Sequence, residues 1–407
     1  MGGTFVIVGA SIAGASAAAT LREEGFDGRI VLVGAEPHLP YDRPPLSKGY
    51  LTGSVPAGRL PLRPDGFWGE QSIELRLDTL VTALDPGART IELDGEERVS
   101  YDAILLATGG RNRQLPIPGW ELPGRFDLRT VDDADRLRQA VPGAGRAAVV
   151  GMGFIGSELA ASLRGLGLEV VAVEPFQAPL ERVLGLEVGR VIGELHAEHG
   201  VELLLGEGVS AFEGDDRVRG VRTSTGRLVE CDLAVVGVGI APAVELAETA
   251  GLAVDNGIVV DELCRTTAEG VYAAGDVARH FHPLHGTHIR VEHWQNAFEQ
   301  GAAAARSMLG RGEPYAEPHW FWSDQYDASL QYLGHHETWD ELVVRGSLEE
   351  RRFVAFYLEG GVPLAAVSMN HGRELRRARG VIAAGRPVDP ALLRDPEVDL
   401  RTLGVRG

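Results

Sequence analysis

Two stretches of the chain share one pattern of apolar and polar positions. Residues 4–36 read TFVIVGASIAGASAAATLREEGFDGRIVLVGAE, and residues 147–174 read AAVVGMGFIGSELAASLRGLGLEVVAVE. Each runs from an apolar strand through a glycine-rich turn into an Ala/Leu-rich helix, then into a second apolar strand that ends on Glu. That order predicts a βαβ unit, and it occurs twice. Between the copies, residues 72–106 read as short strands with turns at Asp85-Pro86-Gly87 and Asp94-Gly95. YDAILLATGG (101–110), CDLAVVGVGIAP (231–242) and GVYAAGDVA (270–278) read as buried strands that end in turns, and residues 295–309 as a helix. From about residue 318 the texture changes to the aromatic-rich HWFWSDQYDASLQYLG and to alternating strands such as RRFVAFYLEGG, which predicts a separate α+β C-terminal domain.

Composition narrows the picture. A chain of 407 residues with 44% hydrophobic content has room for two or three domains with real cores. No apolar run approaches the ~20 residues that span a bilayer, so no membrane partner is expected. The start, MGGTFVIVGA, carries neither a basic region nor a cleavage site, so no secretory signal is read there. Cys231 and Cys264 are far apart and form no CxxC pair, which argues against a disulfide framework and leads to an expected cytoplasmic setting. A net charge of −19 argues against nucleic acid as a partner. Lys48 is the only lysine among 39 cationic Lys and Arg residues, which raises the question of what arginine does not do there.

The two turns carry the dinucleotide fingerprint. In the first, Gly9 permits the tight turn, Gly14 lets the helix pack close to the strand, and the helix N-terminus offers N–H groups to a pyrophosphate. Ser11 replaces the middle glycine, with Ala13 beside Gly14, and Glu36 ends the second strand where an acid meets ribose hydroxyls. A glycine-rich turn without a ligand is the other reading of this motif. The second copy, Gly151-Met152-Gly153-Phe154-Ile155-Gly156, is a full GxGxxG with Glu174 closing its second strand. An acid there accepts from a ribose 2′-hydroxyl and repels a 2′-phosphate, so NADH is expected over NADPH; Arg182 is read as a surface residue that could soften that preference.

Pattern rules do not explain Pro40-Tyr41-Asp42-Arg43-Pro44-Pro45-Leu46-Ser47-Lys48. This segment resembles the flavin loop of the oxygenase-coupled NADH:ferredoxin reductases. Leu128-Arg129-Thr130, Tyr272-Ala273-Ala274-Gly275-Asp276, Glu292-His293-Trp294-Gln295-Asn296-Ala297 and Phe321-Trp322-Ser323-Asp324 resemble further motifs of that family, in the same order along the whole chain. The resemblance implies an α/β, glutathione-reductase-like fold, with two Rossmann-type domains and an α+β C-terminal domain. FAD would occupy a discontinuous domain, 1–114 and 241–317; NAD would bind 115–240; residues 318–407 would form the third domain. It implies that Gly9 to Gly14 hold the FAD pyrophosphate and Glu36 its ribose. Many relatives have an acid where this chain has Ala35, which leaves Glu36 to supply the carboxylate alone. It further implies that Arg43 and Lys48 lie along the flavin, that Val81 touches the adenine, that Arg129 contacts the cofactor and that Asp276 accepts from a ribityl hydroxyl. Trp294 would open a helix whose dipole stabilises reduced flavin.

In the same family Glu158 reaches the nicotinamide near a flavin-domain lysine. A compact ammonium at Lys48 would stabilise charge as hydride arrives at FAD, with Glu158, placed on the first helical turn, as its counter-charge. Neither cysteine falls in the flavin loop, so electrons are expected to leave directly, one at a time, to a 2Fe–2S ferredoxin that serves a cytochrome-type or Rieske oxygenase. Docking on an acidic chain needs a local basic patch; Arg373–Arg379 and Arg59 with Arg63 are candidates, the former equally readable as a solvated helix face. Trp322 is read either as a cover over the flavin or as ordinary core. His280, His282, His285 and His288 fit no helical face and are read as a polar loop, with no metal site expected. A rubredoxin-directed or diaphorase-type reductase and an NADH-sensing interaction protein are the competing functions. Monomer and homodimer are both compatible with the fold.

Overall fold

The computed structural model describes residues 2–404, which form two compact units. One comprises residues 2–42, 58–111 and 241–320. Its centre is a parallel sheet in the order Val271–Ala273, Ala103–Leu106, Thr4–Val8, Arg29–Val33, Ile73–Arg76. The three inner strands read as apolar runs because both of their faces are covered: Phe5, Ile7, Ile30, Leu32 and Leu105 face one buried cluster, and Val6, Val31, Ile104 and Leu106 face the other. The crossover helix Ile12–Glu23 is built largely of alanine, so it lies close to the helix Trp294–Met308. A Cβ on Gly301 would stand 2.2 Å from the carbonyl oxygen of Ala13, so no larger side chain fits that crossing.

The second unit comprises residues 43–57, 112–240 and 321–404. It repeats the parallel architecture, in the order Val201–Leu205, Glu169–Glu174, Arg146–Val150, Leu233–Val236, Arg125–Asp127. The crossover helix here is Phe154–Gly165, and the helix Glu181–Glu198 follows. The same unit carries most of a five-stranded sheet that starts at Trp320–Gln325 and continues through Ala328–Gly334, Val362–Met369, Arg352–Glu359 and Glu341–Ser347. The Rossmann-type pair and the α+β C-terminal region match the sequence reading. The helix expected at 295–309 runs Trp294–Met308, and the turns at Asp94-Gly95 and at Asp85 to Gly87 join strands of a small antiparallel sheet. Among the described residues no helix is long and apolar enough to cross a membrane.

A buried histidine, His196, and a half-buried one, His336, give the second unit a pH signature. His196, between Gln325 and Tyr326, and His336, stacked on Tyr357, are both pushed down to about 4, chiefly by burial. Above pH 6.5 both rings are neutral whether the chain is folded or not. Between 6.5 and about 4 the unfolded chain takes up protons that the folded chain refuses, so stability falls as pH falls through that window. A shift of this size is worth up to roughly 3 kcal/mol per ring. We expect the melting temperature to drop between pH 7 and pH 4.5, and His196→Asn to flatten part of that drop. An unchanged slope in the variant would remove His196 from the account.

Candidate active site

The first fingerprint turn is assembled by missing side chains. Gly9 has φ +117°, and a Cβ there would sit 2.1 Å from the Ala107 carbonyl oxygen; one on Gly14 would sit 1.9 Å from the carbonyl oxygen of Gly9. Ser11 caps the helix in an extended conformation, and no acid lies in the first turn to compete with an anion. Ala13 is buried against the segment Tyr272–Asp276: a Cβ on Gly275, beside Asp276, would lie 3.0 Å from that of Ala13 and 3.6 Å from that of Ala297. Residues some 260 positions apart in sequence thus converge around one helix N-terminus. Gln300 accepts from the Gly275 N–H at 2.8 Å and fixes this turn, while the Asp276 carbonyl accepts from Arg290.

The predicted companions in this unit are placed as follows. Glu36 is half-buried and accepts from the Tyr41 hydroxyl at 2.5 Å. Trp294 is the first residue of its helix and donates its indole N–H to Asp42 at 2.7 Å. Burial raises the Asp42 carboxyl, and that hydrogen bond partly offsets the rise. Val81 opens the strand Val81–Asp85 and packs against the second core face. Tyr41, Asp42 and Gln300 were not singled out by sequence reasoning, although the first two lie inside the quoted flavin-loop motif.

In the second unit Gly151 (φ +87°) and Gly156 repeat the construction, with the Gly156 position 1.9 Å from the carbonyl oxygen of Gly151. A Cβ at Gly153 meets nothing within 4 Å, so this glycine leaves room at the helix N-terminus, and no acid stands in the first turn. Phe154 packs edge-on against Phe321 at 4.7 Å, and Ile155 is exposed. Glu174 is buried. One of its oxygens accepts from the Met152 N–H at 2.5 Å and the other from Phe176 N–H at 3.1 Å. Burial raises its carboxyl, with the two N–H donors opposing. It therefore ties the fingerprint turn to the end of its strand, a service that the sequence did not reveal.

Glu158 is the fifth residue of its helix, just past the first turn where it was expected, and is 4% exposed. One carboxylate oxygen accepts from Lys48 Nζ at 2.9 Å and from the Ser47 hydroxyl; the other accepts from Ser323 Oγ at 2.8 Å. A buried carboxylate costs several kcal/mol unless its lone pairs are met, and three donors meet them here. Ser162 fastens the lysine segment by donating to the Ser47 carbonyl at 2.6 Å. Ser47 and Ser323 were missed as site residues although both stand in quoted motifs. Arg43 donates to the Arg129 carbonyl at 2.7 Å, which joins two predicted cofactor contacts, and Thr130 with Asp133 forms a capping box that sets that turn. Trp322 lies on Trp320–Gln325, on the strand face opposite Ser323.

The stretch His280–His288 is not a polar loop. Its first half is the strand Ala278–His282, with His280 and His282 fully buried on one face, and His288 lies on the paired strand Thr287–Ile289. Both cysteines are buried free thiols pushed up to about 12, by burial first, so neither is poised to react.

Two dinucleotide folds, a charged pair beside one of them and no reactive thiol define a flavin- and nicotinamide-dependent oxidoreductase. The chain belongs to the pyridine nucleotide-disulphide oxidoreductase family, whose model matches residues 3–301, and its reductase C-terminal model matches 320–404. It is 43% identical to the ferredoxin–NAD(+) reductase component of the anthranilate 1,2-dioxygenase system of Burkholderia cepacia, over 98% of each chain. It is 40% identical to rhodocoxin reductase of Rhodococcus erythropolis, over 98% of this chain and 93% of the relative. Among solved structures, a ferredoxin reductase from Rhodopseudomonas palustris aligns with a TM-score of 0.95 at 37% identity, over 99% of this chain and 100% of the other. The covalent putidaredoxin reductase–putidaredoxin complex aligns with a TM-score of 0.95 at 36% identity, over 98% of both.

The buried position of Glu174 separates two roles. If its chief service is to hold the fingerprint turn, Glu174→Ala weakens NADH and NADPH together, by about 5- to 100-fold for a lost 1–3 kcal/mol interaction. Titration with both nucleotides checks this. A gain in NADPH affinity would instead mark Glu174 as the ribose discriminator.

Proposed function

We propose that the protein is an FAD-dependent NADH:ferredoxin oxidoreductase that passes single electrons to a 2Fe–2S ferredoxin. The observation that carries this reading is the convergence of Gly9–Gly14 with Gly275 and Asp276 in a chain whose two cysteines are both buried and unreactive. Bound FAD would accept a hydride from NADH and release electrons one at a time. Gly9, Ser11, Ala13 and Gly14 offer the helix N-terminus to its pyrophosphate, Glu36 its carboxylate to the ribose, and Asp276 an acceptor to a ribityl hydroxyl. Val81 touches the adenine, Arg43, Arg129 and Trp322 complete the flavin contacts, and Trp294 opens the helix whose dipole faces the flavin. Gly151 to Gly156 and Glu174 serve NAD.

Lys48 meets the charge that hydride transfer develops, and Glu158 holds the ammonium in place. Ser47 and Ser323 keep Glu158 oriented. The supporting geometry is the 2.9 Å ion pair on a carboxylate with three donors. Names of relatives that serve a dioxygenase and rhodocoxin support an oxygenase, cytochrome-type or Rieske, downstream of the ferredoxin. The exposed guanidinia of Arg373, Arg376 and Arg377 fit an acidic carrier. Free buried thiols fit a reducing, cytoplasmic compartment. The division 1–114 with 241–317, 115–240 and 318–407, and a monomer or homodimer, complete the proposal.

Anaerobic titration tests the whole. Stoichiometric NADH should bleach the flavin absorbance, and a 2Fe–2S ferredoxin should restore it. A colourless protein would sink the FAD assignment. Lys48→Arg should retain FAD and the ion pair yet slow stopped-flow flavin reduction, by an amount on the order of 10²-fold, since a broad guanidinium replaces a compact donor. An unchanged rate would remove Lys48 from the hydride step. Glu158→Gln should slow the same step with less loss of stability than Lys48→Met, which strands a buried carboxylate at a cost of about 3–5 kcal/mol.

A further inference from the structure

We propose that His280, His282 and His319 form a binding site for a divalent transition metal of the zinc class. The site lies outside the nucleotide machinery. The inference goes beyond the reductase reading and does not depend on it.

The three imidazoles come from two places in the chain. His280 and His282 stand two residues apart on the strand Ala278–His282, so both project from one face. That strand is held by its ladder to Ile258–Val260 on one side and Thr287–Ile289 on the other. His319 arrives from the segment just before Trp320–Gln325. This segment is anchored upstream, where the Tyr315 N–H donates to the Glu262 carbonyl at 2.9 Å and the Tyr315 hydroxyl to Glu299 at 3.3 Å. Two ligands on a strand and a third on a tethered segment make a placed group, not a chance surface cluster.

The geometry suits a small ion. All three rings are at most 3% exposed. Their centroids lie 5.1 Å (His280–His282), 5.8 Å (His280–His319) and 4.9 Å (His282–His319) apart, with interplanar angles of 65°, 82° and 65°. The rings meet edge to face around a common point. One ligand nitrogen from each lies within 4.8 Å of the other two. Even at that limit each nitrogen is ~2.8 Å from the centre of the triangle, so a movement of roughly 0.7 Å reaches the 2.0–2.1 Å of a zinc–imidazole bond. Ring rotation covers such a movement.

The tautomer is set for ligation at His282. Its Nε2 lies 3.1 Å from the Glu317 carbonyl oxygen. A carbonyl only accepts, so Nε2 carries the proton and the lone pair of the neutral ring falls on Nδ1. A backbone carbonyl behind a ligating imidazole is the usual means of orienting it. An all-imidazole set without thiolate or carboxylate selects zinc, cobalt, nickel or copper over magnesium and calcium. Three protein ligands leave a fourth position for water. Bound there, the ion would cross-link the strand that follows Asp276 to the segment that ends at Trp320.

The test uses the untagged, FAD-loaded full chain, stripped with a chelator and reloaded with Zn²⁺ or Co²⁺ alone. About one equivalent of zinc per chain should survive gel filtration. Cobalt should give ligand-field bands of low-symmetry coordination on the red side of oxidised flavin absorption, and zinc should raise the melting temperature. His319→Gln, with its FAD content unchanged, should retain at least tenfold less metal and lose the melting shift. If that variant does not hold FAD, the cobalt spectrum of the parent protein decides alone. Zinc at background after gel filtration, a cobalt spectrum of the aqua ion, or a folded His319→Gln protein that binds as much metal as its parent would each overturn the proposal.

Discussion

Both nucleotide folds depend on a backbone contact that tolerates no side chain. At Gly14 and again at Gly156 a Cβ would lie 1.9 Å from the carbonyl oxygen one turn earlier in the fingerprint, at Gly9 and Gly151. Real side chains do not occupy such positions, so the close approach of crossover helix to strand exists only because these residues are glycine. The consequence reaches past the turn. It points the helix N-terminus, with its N–H groups, at the carboxyl end of a parallel sheet, where such folds bind an anion. The Ala-rich face of Ile12–Glu23 then takes the helix Trp294–Met308 at a distance that a side chain at Gly301 would forbid, and Gly275 and Asp276 lie against the same helix.

A second constraint is the burial of Glu158. A carboxylate 4% exposed is stable in the fold only with its oxygens met, and Lys48, Ser47 and Ser323 do so from three parts of the chain. One charge therefore collects a loop segment, a nucleotide helix and the first strand of the C-terminal sheet. The segment 43–57 packs in the same compact unit as residues 112–240, although it follows the first βαβ unit in sequence. The lone lysine of the chain stands at the centre of this arrangement, where a compact ammonium shares one carboxylate oxygen with a serine hydroxyl.

Much of this is legible in the sequence. The repeated strand–turn–helix pattern carried the two Rossmann-type units because period and glycine placement are local properties. The same held for the helix that starts at Trp294 and for the turns around Asp85 and Asp94. The histidine stretch shows no helical period because His280 and His282 obey the two-residue period of a strand. His319 had no local signal tying it to them.

The chain by itself determined most of the segments that become strands and helices, that two dinucleotide folds exist, and that no dithiol relay is available. Those are matters of periodicity, backbone permissiveness and residue inventory, all encoded within a few tens of residues. Only the tertiary structure decided which polar groups meet. Glu174 turned out to grip the Met152 N–H, Glu158 to gather two serines, and three imidazoles to share one buried space. Such partners lie up to 165 residues apart. Their pairing follows from the requirement that buried polar atoms be satisfied within a packed interior, a condition that has no meaning until the interior exists.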